Sequence, residues 1–183
     1  ARPVTQLYST LEKSPITSWA YGILGQIYVV LPLALLGVWG YKSDYQLFMN
    51  TEYLLMALFV FVWTNDTGAY IVGCTLGKHR LFERISPKKS WEGFFGGLAF
   101  CIILASLANY IIPGMLSTAK WIGMGIVTSI FPTWGDLCES LLKRTAGVKD
   151  SGKILPGHGG ILDRFDSELI ASPVIFIYLT FVL

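Results

Sequence analysis

Long apolar stretches alternate with short polar connections along the chain. Five stretches approach the ~20 residues that a helix needs to cross the hydrocarbon core of a bilayer. They run approximately from Trp19 to Tyr41, Tyr53 to Gly73, Gly93 to Ile112, Ala119 to Glu139 and Leu169 to Leu183. The last holds only fifteen residues, so it either begins in the polar segment before it or is cut by the end of the chain. The pattern predicts an all-α, polytopic integral membrane protein with about five transmembrane helices in a single membrane domain, 1–183.

The composition supports this class. Of the 183 residues, 53% are hydrophobic and 14% are charged, against roughly 45–50% and about 25% in soluble domains. A net charge of +2 is too small to neutralise many phosphates, which excludes a soluble nucleic-acid-binding protein. The three cysteines, Cys74, Cys101 and Cys138, are odd in number and lie in or beside apolar stretches. They indicate packing residues and not a disulfide framework or a metal site.

Lys and Arg are distributed unevenly between the connections. If the spans alternate in direction, only Lys42 and Lys120 of the 14 basic residues lie on one side of the membrane. The other twelve are Arg2, Lys13, Lys78, Arg80, Arg84, Lys88, Lys89, Lys143, Arg144, Lys149, Lys153 and Arg164. Because cytoplasmic loops are rich in Lys and Arg, the amino terminus and both basic loops are predicted to be cytoplasmic. The chemistry is therefore expected on the cytoplasmic side.

Two predicted spans contain ionisable residues. In the second, the polar run at 64–67 includes Asp66. In the fourth, the residues that share a helical face if the helix continues past Pro132 are Asp136, Glu139, Ser140 and Lys143. An ionisable group inside a span is by default a candidate functional residue that faces a cavity or a partner. The alternative is that Asp66 and Asp136 are simply interfacial or paired with a basic residue.

The polar connection from Ser140 to Glu168 has the composition of a phosphate-binding segment. Glycines at 157, 159 and 160 allow backbone N–H groups to approach an anion closely. Its charge-assisted donors for phosphate oxygens are Lys143, Arg144, Lys149 and Lys153. Asp136 and Asp163 supply the hard oxygen ligands that Mg²⁺ prefers. Together these groups suggest phosphoryl or nucleotidyl transfer to a lipid head group.

The segment 140–166, SLLKRTAGVKDSGKILPGHGGILDRFD, resembles the signature of the phosphatidate cytidylyltransferases, also called CDP-diacylglycerol synthases. The runs NDTGAY at 65–70 and SPKKSWEG at 86–93 are also similar to that family. Family members generally carry additional spans at the amino end. The chain therefore resembles the carboxy-terminal two-thirds of such a protein.

The resemblance implies a reaction. CTP and phosphatidic acid would give CDP-diacylglycerol and pyrophosphate, with Mg²⁺ as cofactor, by attack of a phosphatidate oxygen on the α-phosphorus of CTP. Catalysis would consist mainly of positioning and charge neutralisation. The resemblance also implies contact with the lipid bilayer, no nucleic-acid partner and residence in a bacterial inner membrane, and it leaves a homodimer open.

The predicted site follows from the signature and the two shorter runs. The catalytic set is Asp136, Asp163, Lys143, Arg144 and Lys149, with Asp136 and Asp163 as the metal ligands. The substrate-binding set is Lys88, Lys89, Ser90, Asp66, Ser140, Asp150, His158, Gly159, Gly160, Arg164 and Asp166. Asp66 and Asp166 are candidates for a second cation, and Lys78 and Arg80 are expected to face anionic head groups.

Two rival functions would account for part of the same pattern. A CTP-dependent lipid or polyprenol kinase would bind the same phosphates but transfer the γ-phosphoryl group, and the signature disfavours it. An ion-coupled secondary transporter would explain Asp66 and the Pro and Gly interruptions as broken helices around an ion. A transporter should carry polar groups near mid-membrane in several spans, whereas here they cluster toward the predicted cytoplasmic ends.

Overall fold

The structure, a computed structural model, describes residues 15–40, 51–148, 150–152, 160 and 162–182. Its helices are α1 (Pro15–Gly25), α2 (Leu31–Gly40), α3 (Thr51–Leu76), α4 (Trp91–Ile111), α5 (Thr118–Thr145) and α6 (Leu162–Val182). Between α3 and α4 the strands β1 (Arg80–Phe82) and β2 (Ser86–Ser90) form an antiparallel hairpin. The predicted helical class is confirmed, and the short hairpin is a feature that the sequence pattern did not predict.

A turn of π-helix, Gln26–Val30, joins α1 to α2. Pro32 lies just beyond this turn and has no N–H to donate to the carbonyl four residues earlier. In the wider turn, the N–H of Leu31 bonds to the carbonyl of Gln26 instead. The π turn thereby accommodates the proline without ending the helical segment.

Four helical segments in the described part of the chain are long and apolar enough to cross a membrane: Trp19–Val38, Tyr53–Leu76, Trp91–Ile111 and Leu162–Val182. The last begins at Leu162, inside the preceding polar segment, and therefore starts earlier than the fifth predicted span. The predicted fourth span is also helical, since α5 continues without a break past Pro132. Helix α5 is not among the four apolar segments named above, and its buried residues include the polar Thr128, Ser129 and Glu139.

Small residues bring α3, α4 and α5 close together. A Cβ atom on Gly68 of α3 would lie 2.8 Å from the ring of Phe100 on α4. A Cβ atom on Gly125 of α5 would lie 3.0 Å from the carbonyl oxygen of Cys101 on α4. Glycines at these points are therefore required for the observed helix contacts, as is common between membrane helices.

The core lies between α3, α4, α5 and α6. Its largest side chains include Phe61 and Trp121, whose ring centroids are 6.2 Å apart, together with Met124 and Ile175. One buried polar contact crosses this core, because the hydroxyl of Ser129 donates to Oδ1 of Asn65 at 2.8 Å. This bond fixes the rotation of α5 relative to α3.

Candidate active site

The hairpin carries the two lysines of the SPKKSWEG run to the end of the bundle where α3 ends and α4 begins. Arg80 pairs with Ser90 and Phe82 pairs with Ser86. Ser90 then begins α4, because its hydroxyl oxygen accepts a hydrogen bond from the N–H of Gly93 at 3.1 Å. Side-chain capping of this kind satisfies one of the unpaired donors at a helix start.

Glu92 closes the base of the hairpin. Its Oε1 lies 2.6 Å from Nδ1 of His79, and both carboxylate oxygens accept from the backbone N–H of His79 at 3.2 Å. The carbonyl of His79 in turn accepts from the N–H of Trp91 at 3.0 Å. The loop before β1 is therefore fastened to the first turn of α4. Lys88 and Lys89 lie in the hairpin that these bonds close.

A cavity of about 300 Å³ opens beneath the hairpin. Its polar wall consists of Asn65, Asp66, Lys88, Lys89, Ser90, Thr133, Asp136, Asp166 and Ser167. Its apolar wall consists of Ala69, Tyr70, Gly73, Leu81, Gly93 and Phe94. The cavity thus combines three carboxylates and two ammonium groups with an aromatic and aliphatic surface.

Lys89 and Asp136 form an ion pair on this cavity. Each side chain keeps about 30% of its surface exposed, at 28% and 31%. Ser140, one helical turn further along α5, donates its hydroxyl to Oδ1 of Asp136 at 3.3 Å. The pair is therefore accessible to a ligand while Asp136 is oriented from two sides.

The carboxylates of Asp66 and Asp166 lie inward from the ends of their helices. Asp66 precedes the end of α3 at Leu76 by ten residues, which corresponds to about 15 Å along a helix that rises 1.5 Å per residue. Asp166 lies in the second turn of α6. The hairpin folds inward over them, so that Leu81 and Lys88 line the same cavity.

Lys143 forms a second cluster beside the cavity. Its Nζ donates to Oδ1 of Asp163 at 2.9 Å and to Oε2 of Glu139 at 3.0 Å. Burial by itself lowers the pKa of Lys143, but the bonds to Asp163 and Glu139 outweigh it and raise that pKa. Glu139 is 1% exposed and lies three residues after Asp136 of the cavity wall, on the same face of α5, so the two clusters adjoin.

Asp163 fastens both ends of the glycine-rich segment. Its oxygens accept from the N–H of Ser151 at 2.9 and 3.1 Å and from the N–H of Gly160 at 2.7 Å. Together with Lys143, these donors occupy most of the acceptor positions of one carboxylate. The arrangement holds Ser151 and Gly160 at the start of α6.

The structure brings most of the predicted site residues together. The predicted residues that line the cavity are Lys88, Lys89, Ser90, Asp66, Asp136 and Asp166. The adjoining cluster contains Lys143, Asp163 and Gly160. Ser140 contacts Asp136. Arg144, Asp150 and Arg164 are exposed and do not line the cavity. Lys149, His158 and Gly159 lie outside the described residues.

Two groups of cavity residues were not in the predicted site. Asn65 and Glu139 are buried polar residues whose contacts reach the cavity or the Lys143 cluster. The sequence places Glu139 on the same helical face as Asp136 and Lys143, but the predicted site assigned it no role. On the aromatic wall, Tyr70 belongs to the NDTGAY run but was assigned no role, and Phe94 gave no signal because aromatic residues are common in any membrane span.

The donor set fits Mg²⁺ in its chemistry. Asp66, Asp136 and Asp166 present hard carboxylate oxygens to the cavity. Among the residues that the structure describes, no three His, Cys, Asp or Glu side chains converge closely enough to hold a metal by themselves. Mg²⁺ commonly takes one or two carboxylates and completes its shell with substrate phosphates and water. That Asp136 and Asp163 share this cation stays a prediction.

Fold and site together define a polytopic membrane protein with a recessed polar cavity at one end of its helical bundle. Residues 4–182 match the cytidylyltransferase family, and the chain belongs to that family. It is 39% identical over 173 residues to the phosphatidate cytidylyltransferase of Staphylococcus aureus strain COL. The proteins of that name from Staphylococcus haemolyticus and from Staphylococcus epidermidis strain ATCC 12228 are 39% and 38% identical over 172 residues. Each alignment covers 94% of this chain and 64% of the relative's length.

Proposed function

We propose that this protein transfers a cytidylyl group from CTP to phosphatidate, giving CDP-diacylglycerol and pyrophosphate. One observation carries the proposal: a single cavity joins carboxylates and lysines on one wall to aromatic and aliphatic side chains on the other. A nucleotide alone does not need the apolar wall, and a lipid tail does not need the charges. A phosphorylated lipid that meets a triphosphate needs both.

The two walls divide the substrates by chemistry. Lys88 and Lys89 donate to phosphate oxygens in the cavity, as charge-assisted donors do. Tyr70, Leu81 and Phe94 contact the glycerol and the first carbons of the acyl chains. Because Tyr70 is 72% exposed on α3, the lipid enters from the side of the bundle that faces the bilayer.

In the proposed reaction an oxygen of the phosphatidate phosphate attacks the α-phosphorus of CTP. A phosphorus–oxygen bond forms to the lipid, and the bond between the α-phosphorus and the β-phosphate breaks, so that pyrophosphate leaves with its electron pair. No side chain acts as nucleophile. Lys89 in the cavity neutralises charge on the triphosphate and holds it in line, which is how phosphoryl transfer is mainly catalysed. Lys143 and Arg144, beside the cavity at the end of α5, are the predicted further contacts of the triphosphate.

Asp136 holds Mg²⁺ in this proposal, with Asp163 as the predicted second ligand. When bound, the cation neutralises the charge that develops on the phosphates. Asp163 presently accepts from Lys143, so it becomes a ligand only if the cation takes the place of the lysine at Oδ1. Asp66 and Asp166 are the groups for a second cation. We place the site on the cytoplasmic side of a bacterial inner membrane, following the distribution of Lys and Arg.

The test follows each phosphate of CTP separately. The purified protein is incubated with phosphatidate and Mg²⁺ and with CTP labelled at the α- or the γ-phosphate. The proposal expects the α-label in the lipid fraction, the γ-label in pyrophosphate, and neither result without Mg²⁺. The γ-label in the lipid would instead identify a lipid kinase. An Asp136→Asn variant that is folded but transfers no label is the matched control.

A further inference from the structure

The outer face of the hairpin is basic and lies at the membrane boundary. The hairpin connects α3 and α4, two helices that are long and apolar enough to cross a bilayer. Lys78, Arg80 and Arg84 are exposed on it, and none of the three is in an ion pair within the described part of the chain. Glu83 is the one acidic residue between Lys78 and Ser90.

An aromatic pair accompanies these cations. Phe82 is 39% exposed and Trp134 of α5 is 49% exposed, and their ring centroids are 6.1 Å apart in an edge-to-face arrangement. Exposed aromatic rings beside basic residues are characteristic of the level of the lipid head groups. Lys78, Arg80, Phe82 and Arg84 together are termed the basic face of the hairpin.

The basic face is continuous with the cavity. Because successive side chains in a strand point to opposite sides, Leu81 is directed away from its neighbours Arg80 and Phe82. Leu81 and Lys88 line the cavity that contains Asp136. One thin element is therefore a wall of the cavity on one side and a cationic surface on the other.

This surface is formed before any ligand arrives. The ring and the backbone N–H of His79 both bond to Glu92. The backbone carbonyl of His79 accepts from Trp91, which adds a third connection to α4. Basic side chains on a fixed hairpin lose less freedom on binding a phosphate than the same side chains on a loose loop.

We propose that the basic face of the hairpin binds the phosphomonoester head group of membrane lipids and thereby concentrates phosphatidate at the mouth of the cavity. Such a head group carries more negative charge than the phosphodiester of other anionic lipids. Each basic residue near a membrane surface adds to the attraction for anionic lipid. The part of the proposal that concerns substrate supply rests on the proposed function, whereas the preference for the phosphomonoester does not.

The first experiment measures lipid selectivity without turnover. The protein is reconstituted in phosphatidylcholine bilayers with spin-labelled phosphatidate or phosphatidylglycerol, and the fraction of immobilised label gives the selectivity for each lipid. We expect Lys78→Gln/Arg80→Gln/Arg84→Gln to lower the selectivity for phosphatidate at least about 3-fold, and the loss to shrink in high salt. Glu83→Gln, which removes the acidic residue from the hairpin, is the matched control and should raise it. Unchanged selectivity in the triple variant would overturn the proposal, and so would equal loss for both lipids.

The second experiment separates this surface from the active site. In the cytidylyl-transfer assay the triple variant should raise the KM for phosphatidate at least about 5-fold, leaving kcat at saturating lipid and the KM for CTP unchanged. A fall in kcat or a higher KM for CTP would place these residues in the catalytic cavity and contradict the proposal. If the wild-type protein shows selectivity in the bilayer but no transfer, the proposed function fails and the lipid surface stands.

Discussion

Lys143 and Asp163 are joined by a 2.9 Å bond between Nζ and Oδ1, and this bond connects the end of α5 to the start of α6. The same ammonium group bonds to Glu139, whose side chain is 2% exposed. One cation thus compensates two carboxylates in a place with little access to water. Its removal leaves both of them without a compensating cation, although Asp163 keeps its backbone donors.

We therefore expect Lys143→Met to destabilise the protein by about 3–5 kcal/mol, the usual consequence of breaking a buried ion pair. The measurement is thermal unfolding in detergent. Glu139→Gln added to Lys143→Met should recover part of the loss because one of the two unpaired charges is removed. A double variant less stable than Lys143→Met would contradict this account.

The raised pKa of Lys143 sets the pH range of its contribution. A lysine whose pKa is higher in the folded state stabilises that state fully below its unfolded pKa of about 10.5. The contribution is lost as the pH rises through the higher folded value. The share of the stability difference that depends on protonation of Lys143 should accordingly be constant near neutral pH and shrink only in strongly alkaline buffer.

The two predicted metal ligands can be separated by Mg²⁺ titration. Asp136→Asn should lower transfer at least ~100-fold, since several kcal/mol of charge stabilisation depend on the cation. Asp163→Asn should also lose most activity. If Asp163 is a ligand, the Mg²⁺ concentration for half-maximal activity should rise in Asp163→Asn, as it should in Asp136→Asn. If Asp163 only fastens Ser151 and Gly160, the Mg²⁺ requirement of its variant stays normal and its stability falls.

Arg144 provides a test of geometry against charge. Arg144→Lys keeps the charge but loses the planar fork that grips a phosphate with two parallel bonds. We expect kcat/KM for CTP to fall at least ~10-fold, or ~1.4 kcal/mol. Arg84→Lys on the basic face of the hairpin is the control and should leave this constant unchanged. A silent Arg144→Lys would remove Arg144 from the nucleotide site.

The bond between Ser129 and Asn65 should be measurable in stability. Ser129→Ala leaves the buried Oδ1 of Asn65 without a donor, at a cost of about 1–3 kcal/mol. Ser106→Ala is the control and should be nearly neutral, because among the described residues that hydroxyl bonds only to Ile102 of its own helix. Equal melting temperatures for both variants would show that the bond contributes nothing.

Sidedness can be tested on either end of the bundle. In a background without the three native cysteines, Lys88→Cys is expected to react only with a reagent that reaches the cytoplasm. Lys120→Cys is expected to react from outside. Labelling of position 88 from outside would reverse the topology. The equivalent predictions for Lys42 and Lys153 concern residues outside the described ranges.

The helices were predictable because each depends on a local property, the length of an apolar run. The end of α5 was also accessible, since the spacing of Asp136, Glu139 and Lys143 places them on one helical face. The hairpin was not. Its strands are short and β2, SPKKS, has no alternating pattern. Its base is held by the contact between His79 and Glu92, which no periodic pattern reveals.

The sequence predicted which residues line the cavity better than it predicted how they are arranged. Lys89 and Asp136 were both in the predicted site because the SPKKSWEG run and the signature carry them. That they form an ion pair depends on how α4 and α5 pack, and this is set by glycines such as Gly125 that no local pattern singles out. Contacts between distant segments therefore had to come from the structure.

The order in which the cavity is assembled has a consequence for biogenesis. Asp66 and Lys89 are synthesised before the helices that bring Asp136 and Asp166 to them. Ionisable groups at membrane depth are unfavourable until they find partners or water, so the nascent chain passes through a stage in which Asp66 has only one wall of its cavity. A chain that ended before Leu162 would lack Asp166 and Ser167, and its cavity would be open on the side of α6.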